Sequence, residues 1–166
     1  MTMTLSKPHV VKQGLRNIVG SYCVFEGENE GAGWSGSTAA FDKRKQEIRN
    51  RKGDTLWGFL YRPHRDHPEI SANVMACFMG VEVVDFDGVP VGLSTTRFAE
   101  GDYVIVECKG DTSNEVDMGI GPAVGLLEKW IKEHGYREGD EGALVCWHEK
   151  MNTPPFRQYV SARIVK

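Results

Sequence analysis

The chain has 166 residues, 40% of them hydrophobic and 26% charged, with 20 Lys plus Arg against 23 Asp plus Glu for a formal net charge of -3. This composition is that of a globular domain, far from disordered sequences, and it supplies no global attraction to phosphate, so a nucleic-acid partner is not expected. The longest apolar runs, such as Ala76 to Val81, are too short to span a bilayer and follow no signal-like segment, so a membrane partner is not expected either and the reading is cytoplasmic.

The length suits one domain over residues 1–166 that buries a core without disulfide or metal staples. Cys23, Cys77, Cys108 and Cys146 lie far apart among apolar and β-branched neighbours, with no C-x-x-C spacing. Free thiols in a reducing compartment explain them better than a disulfide framework or a zinc site.

In chain order, Asn17 to Glu26 reads N-I-V-G-S-Y-C-V-F-E, a short β-branched strand run that gives way to the Gly-rich segment 27–36. Ser37 and Thr38 can cap a helix in which Phe41, Arg44, Lys45 and Ile48 recur at helical spacing up to Gly53. A strand follows over Leu56 to Tyr61 and ends at Arg62-Pro63. Met75 to Phe86 reads as a longer strand closed by Asp87-Gly88, and Val91 to Phe98 as a connecting segment for which an extended conformation is open. The plan then recurs. Asp102 to Lys109 is a strand; a linker leads to Pro122, which opens a helix with the stripe Ala123, Leu126, Leu127, Trp130, Ile131 and His134, stopped by Gly135. Strands over Ala143 to Glu149 and Arg157 to Val165 complete the series.

The element order is β-α-β-β twice, about 8–96 and about 97–166. It predicts an α+β fold with an antiparallel sheet, helices on one face, and a ligand cleft between pseudo-symmetric halves. Exposed strand edges would allow a homodimer.

With these elements in place, the sequence resembles the GyrI-like effector-binding domain family. The matching stretches are L-W-G-F-L-Y-R-P-H at 56–64, G-V-E-V at 80–83, G-D-Y-V-I-V-E-C-K-G at 101–110 and G-P-A-V-G-L-L-E-K-W-I-K-E-H-G-Y at 121–136. The resemblance implies binding of a small, largely apolar or cationic aromatic molecule between the repeats, with a buried glutamate opposite aromatic side chains and no cofactor. It implies a sensor or sequestering role. It also implies two alternatives: a metal-independent hydrolase of strained electrophilic compounds such as cyclopropane-containing genotoxins, and a protein-interaction module of gyrase-inhibitor type. Only about 16 residues precede the first strand, fewer than a helix-turn-helix needs, so a standalone domain is expected. Related regulators often carry a glutamate in the third strand of the second repeat, where this sequence reads Cys146-Trp147-His148-Glu149, leaving the key acid open.

Strand parity divides the candidates. Phe78 and Glu82 share a face, so Glu82 is a carboxylate in apolar company that must pair with a cation or donor, or take up a proton, unless it lies at an edge facing water. Tyr103, Ile105 and Glu107 share a face; Glu107 is either a second acid near Glu82, with coupled titration suited to general-acid chemistry, or the partner of Lys109 or Arg163. In the hydrolase reading Glu82, Glu107 and Tyr103 are the catalytic set. Trp57, Phe59 and Tyr61 alternate onto one face, and Trp147 sits in the corresponding strand of the second half. Flat aromatic walls of this kind attract apolar rings and cations. Trp34, in G-A-G-W-S-G, is a candidate lid. The ligand-binding set is thus Trp34, Trp57, Tyr61, Phe78, Glu82, Tyr103, Glu107 and Trp147. His64 and His67 lie beside Asp66 and Glu69, but Pro68 rules out a helical H-E-x-x-H geometry, so no metal site is expected. The six basic residues between Lys43 and Lys52 read as a solvated face.

Overall fold

Residues Val74–Val83 are apolar at nearly every position, the pattern of a strand buried on both faces, and their pairing with Arg16–Glu26 is the longest among the described residues. The computed structural model describes residues 3–26, 30–61, 63–139, 143–149 and 153–166. In chain order they form β1 (Thr4–Leu5), β2 (His9–Gln13), β3 (Arg16–Glu26), α1 (Glu30–Asp42), a 3-10 turn (Lys45–Glu47), β4 (Arg51–Tyr61), α2 (Pro63–Asp66), β5 (Val74–Val83), β6 (Ser94–Phe98), β7 (Gly101–Gly110), α3 (Ser113–Met118), α4 (Ile120–Glu133), β8 (Arg137–Glu138), β9 (Ala143–Glu149) and β10 (Phe156–Val165).

The expected α+β architecture is present: one antiparallel sheet runs in the order β1-β7-β10-β9-β4-β5-β3-β6, with β2 also on β7 and β8 on β10. The two units meet at β4 and β9, the second strand of each. Outward from that seam both halves continue with their third strand and then their first, so the sheet reads symmetrically about it. One face carries the helices. There Ile120, Ala123, Val124, Leu127 and Ile131 of α4, spaced three and four apart, pack with Phe41 of α1 against Val81, Val106, Cys146 and Val160. The α3 start is set by a reciprocal capping box: Thr112 Oγ1 accepts from the Glu115 amide, and the Glu115 carboxylate accepts from the Thr112 amide. Ser35 of α1 donates to the buried carboxylate of Asp117 in α3, tying the helical layer together across the units. Burial pushes Asp117 up to about 6, against the lowering effect of that hydroxyl.

Four sequence expectations need correction. The Gly-rich segment is helical from Glu30 onward rather than a loop ending at Ser37, and the helix stops at Asp42, with Ile48 buried beyond a 3-10 turn. Glycine disfavours a helix interior by about 1 kcal/mol relative to alanine, but packing overrides it here: a Cβ on Gly33 would fall 2.5 Å from the Phe25 ring, so the glycine lets α1 lie directly on β3. Second, the extended alternative for Val91 to Phe98 holds over Ser94–Phe98, and what was not expected is that this segment joins the sheet, pairing with Arg16–Gly20. Third, the segment before Pro122 is a helix, α3, with its own cap. Fourth, the segment before Asn17 contributes β1 and β2, both paired with β7.

Two short links shape the sheet. Residues 14–15 join β2 to β3, and residues 99–100 join β6 to β7, although β6 and β7 lie near opposite ends of the strand order. Such links force the two ends to converge, so the sheet curls with its helix-free face inside. Gly20 and Gly80 stand directly opposite each other in the β3–β5 pair. A Cβ on Gly20 would lie 2.0 Å from the Met79 carbonyl oxygen, and one on Gly80 2.5 Å from that of Val19, so the strands approach here as only glycine allows.

Candidate functional site

The inner face is aromatic because alternate positions on successive strands carry rings. Along one row the register runs Glu107, Tyr159, Trp147, Trp57 and Gly80 across β7, β10, β9, β4 and β5. Tyr159 stacks on Trp147 at 5.0 Å between ring centroids, and Trp147 on Trp57 at 5.1 Å. The next row brings Val145, Phe59, Phe78 and Tyr22 together. Phe98 lies over both rows, against Trp57 and Phe59 of the first unit and stacked at 4.8 Å on Tyr103 of the second. The Tyr103 hydroxyl donates to the Ala99 carbonyl at 2.6 Å and so pins the β6–β7 link. Parity therefore assigned Trp57, Phe59, Tyr61, Phe78, Tyr103 and Trp147 correctly to one face. Trp147 lies within β9 rather than at its end and is stacked on both sides.

Between Phe59, Tyr61, Thr96, Ala99, Tyr103 and Val145 a cavity of about 140 Å³ remains, with Arg97 and Arg163 at its rim. The Tyr61 phenol is pushed up to about 12 by desolvation, with the neighbouring Tyr22 adding to the effect and a hydrogen bond to Thr96 opposing it. Tyr61 thus stays a neutral hydrogen-bonding group throughout the physiological range. Ligand pockets occupy about 300–1,000 Å³, so a bulky guest needs more room than this cavity holds.

Glu82 lies on the inner face beside the aromatic row, as parity required, and its side chain is only 14% exposed. It does not stand alone. Arg16 Nη1 donates to Glu82 Oε2 at 2.7 Å, Lys52 Nζ lies 3.3 Å from Oε1, and these groups with Gly53, Thr55 and Trp57 enclose a second cavity of about 130 Å³. The Arg16 guanidinium lies 4.5 Å from the centre of the Trp57 ring. Its Nε is buried without a hydrogen-bond partner, as expected of a guanidinium laid flat on an aromatic face.

Glu107 is on the same face but at the other end of the row. Its partners are Lys109 at 3.4 Å and Arg157 at 3.6 Å; of the two cations weighed from sequence, Lys109 is present and Arg163 is replaced by Arg157. Strands β10, β9 and β4 separate Glu107 from Glu82, so the coupled carboxylate pair considered from sequence does not form. Trp34 is carried by α1 rather than by a loop, and its side chain lies outside the described residues.

Sequence reasoning missed Arg16, Phe98 and Tyr159. Phe98 was legible in S-T-T-R-F, whose alternation matches a half-buried strand. Arg16 carried no local signal, because its place beside Trp57 depends on the long-range pairing of β3 with β5 and of β5 with β4. Among the described residues no group of three or more His, Cys, Asp or Glu could hold a metal, and no helix is long and apolar enough to cross a membrane.

Two β-α-β-β units sharing one curled antiparallel sheet, aromatic within and helical without, define the two-repeat α+β class. Solved structures of low sequence identity share this fold. SAV2435 bound to tetraphenylphosphonium superposes with a TM-score of 0.66 at 10% identity, over 96% of this chain and 94% of that one. EcmrR, in the EcmrR-DNA complex in EcmrR-RPo, matches with a TM-score of 0.66 at 13% identity, over 100% of this chain and 59% of that one. A hydrolase from Listeria innocua matches at 0.52 and 12% identity, over 96% and 92%. No family model and no curated protein matches the sequence.

The EcmrR comparison corrects one expectation. The same fold occurs in a chain that is bound to DNA, so the acidic balance of this sequence is no ground for setting nucleic acid aside. Net charge describes the average field of a domain, whereas DNA association depends on where the basic groups lie and on what the domain is joined to.

Proposed function

We propose that this protein binds small aromatic, lipophilic cations on the inner face of its sheet and acts as a sensor or sequestering domain in the cytoplasm. The observation that carries the reading is Arg16: the molecule already seats a flat cation on Trp57 with Glu82 behind it, which is the chemistry a cationic aromatic guest requires. The stacked rings of Tyr159, Trp147 and Trp57 extend that seat into a wall. The tetraphenylphosphonium bound to SAV2435 is a guest of this class in a protein of the same fold. The sheet shared by both units supports treating residues 1–166 as a single domain, and the four free cysteines suit a reducing compartment. The hydrolase reading is weaker, since the two glutamates on which it was built have three strands between them and each is held by its own cations.

The test is a tryptophan-fluorescence titration with tetraphenylphosphonium and with an uncharged triphenyl compound, repeated for Glu82→Gln. Saturable quenching that favours the cation, with the preference reduced by the substitution, is expected. Equal affinity for both probes, or no saturable signal with either, overturns the reading.

A further inference from the structure

Cys23 on β3 and Cys77 on β5 are direct register partners in an antiparallel pair, so their side chains leave the sheet on the same, helix-covered face. Directly opposed residues in such a pair hold their Cα atoms about 4.5–5.5 Å apart, inside the roughly 4.4–6.8 Å that a disulfide bridges. Cys23 Sγ lies 3.9 Å from the Val24 carbonyl oxygen on its own strand. The environments of the two thiols differ. Cys23 is partly open to solvent, while Cys77 is fully buried and its Sγ donates to Ser37 Oγ of α1 at 3.3 Å.

We propose that Cys23 and Cys77 form a peroxide-responsive dithiol that closes to an intramolecular disulfide between β3 and β5. The partly exposed Cys23, as thiolate, attacks one oxygen of hydrogen peroxide; the O–O bond breaks, hydroxide leaves and takes up a proton as water, and Cys23 becomes a sulfenic acid. Cys77 then attacks the Cys23 sulfur, the S–O bond breaks, and the departing hydroxide takes the Cys77 proton as a second water. Two thiols and one peroxide thus yield one disulfide and two waters, the sulfur pair losing the two electrons that the peroxide gains. Burial raises the Cys77 thiol to about 11, chiefly by desolvation, so the first reaction with peroxide falls to the more open Cys23, and Cys77 reacts second because it stands directly opposite in the strand pair. Cys108 and Cys146 are buried, with thiols that desolvation likewise raises, so neither competes for peroxide. One residue back on β3 and one residue on along β5, Tyr22 and Phe78 pair on the opposite face at 4.9 Å between ring centroids, so the bond forms directly behind the aromatic floor. The proposal does not depend on which ligand that floor takes.

The experiment uses the full chain, reduced, freed of reductant and exposed to hydrogen peroxide. Free thiols are then blocked with N-ethylmaleimide in acid denaturant, and the protein is digested without reduction for mass mapping. The expected product is a linked peptide pair containing Cys23 and Cys77, with Cys108 and Cys146 recovered as maleimide adducts. Cys23→Ser abolishes the link, and Cys77→Ser leaves Cys23 trapped by dimedone as its sulfenic acid, in proteins whose circular dichroism matches wild type. Recovery of both cysteines as maleimide adducts, at a peroxide dose that oxidises Cys23 in the Cys77→Ser protein, overturns the proposal. So does a Cys23 link to any cysteine other than Cys77 of the same chain.

Discussion

Arg16 lies on Trp57 as a guest would. Its guanidinium covers the ring at 4.5 Å while one of its nitrogens holds Glu82 at 2.7 Å, so the cation seat of the inner face is filled from within the chain. Removing that side chain frees the ring and leaves Lys52 as the remaining described partner of Glu82. Arg16→Ala is expected to tighten tetraphenylphosphonium binding by roughly 2- to 30-fold, the equivalent of a cation–π contact worth about 0.5–2 kcal/mol. Isothermal titration calorimetry at matched ionic strength reads this directly. Weaker binding by a folded Arg16→Ala protein would show that Arg16 supports the site instead of occupying it.

Phe98 governs the room available. It is fully buried and touches rings from both units, so Phe98→Ala is expected to cost about 3–5 kcal/mol of stability. Because Phe98 packs on Phe59 and Tyr103, two residues that line the inner cavity, the same change is expected to enlarge that cavity and speed the entry of bulky ligands. Urea unfolding measures the first effect and stopped-flow fluorescence the second. An unchanged association rate would mean that entry does not pass Phe98.

The Gly20–Gly80 contact makes a sharper claim. A Cβ on Gly80 would press on the Val19 carbonyl, and Gly80→Ala is expected to cost about 1–3 kcal/mol as an overpacked contact. At Gly14 a Cβ would meet nothing within 4 Å, so Gly14→Ala is the matched control and should shift the melting temperature little. Equal effects at both positions would remove the close approach as the cause.

Asp117 predicts a pH dependence. Its carboxyl is raised in the fold from the ordinary 3.8 to about 6, mainly by burial, so the native state holds a proton that the unfolded chain has already released across this interval. Stability from this group is therefore fully present below about pH 4 and is lost as pH rises through about 6. Linkage at about 1.4 kcal/mol per pH unit makes the loss roughly 3 kcal/mol as an order of magnitude. Asp117→Asn, which keeps an acceptor for Ser35, should flatten this segment of the stability profile. Urea midpoints for both proteins between pH 4 and pH 7 make the comparison.

Element order and face parity were legible because they rest on periodicity, a local property. Counting along each strand put Trp57 with Phe59, Phe78 with Glu82 and Tyr103 with Glu107, the family resemblance and the repeat order brought these faces and Trp147 together, and both repeats were visible as recurring strand and helix patterns. What was not legible depends on closure. Glycines at 31, 33 and 36 argue for a loop until Phe25 is seen beneath the helix. Arg16 lies 66 residues from Glu82, and no local pattern announces that they pair. Distance across the sheet was equally hidden: Glu82 and Glu107 share a face by parity, yet three strands stand between them.

The seam between β4 and β9 has a further consequence. There the two halves meet through equivalent strands in antiparallel register, Trp57 opposite Trp147, so the contact has the form of an isologous interface in which each partner offers the same patch to the other. A molecule comprising the first half alone would present β4 as an open edge complementary to itself, and its natural partner would be another copy arranged about a two-fold axis. The present chain holds the same arrangement within one polypeptide. Joining the halves in one polypeptide lets the two sides of the aromatic wall differ, with Arg16 and Glu82 at one end and Arg157 and Glu107 at the other, an asymmetry that a true homodimer could not hold.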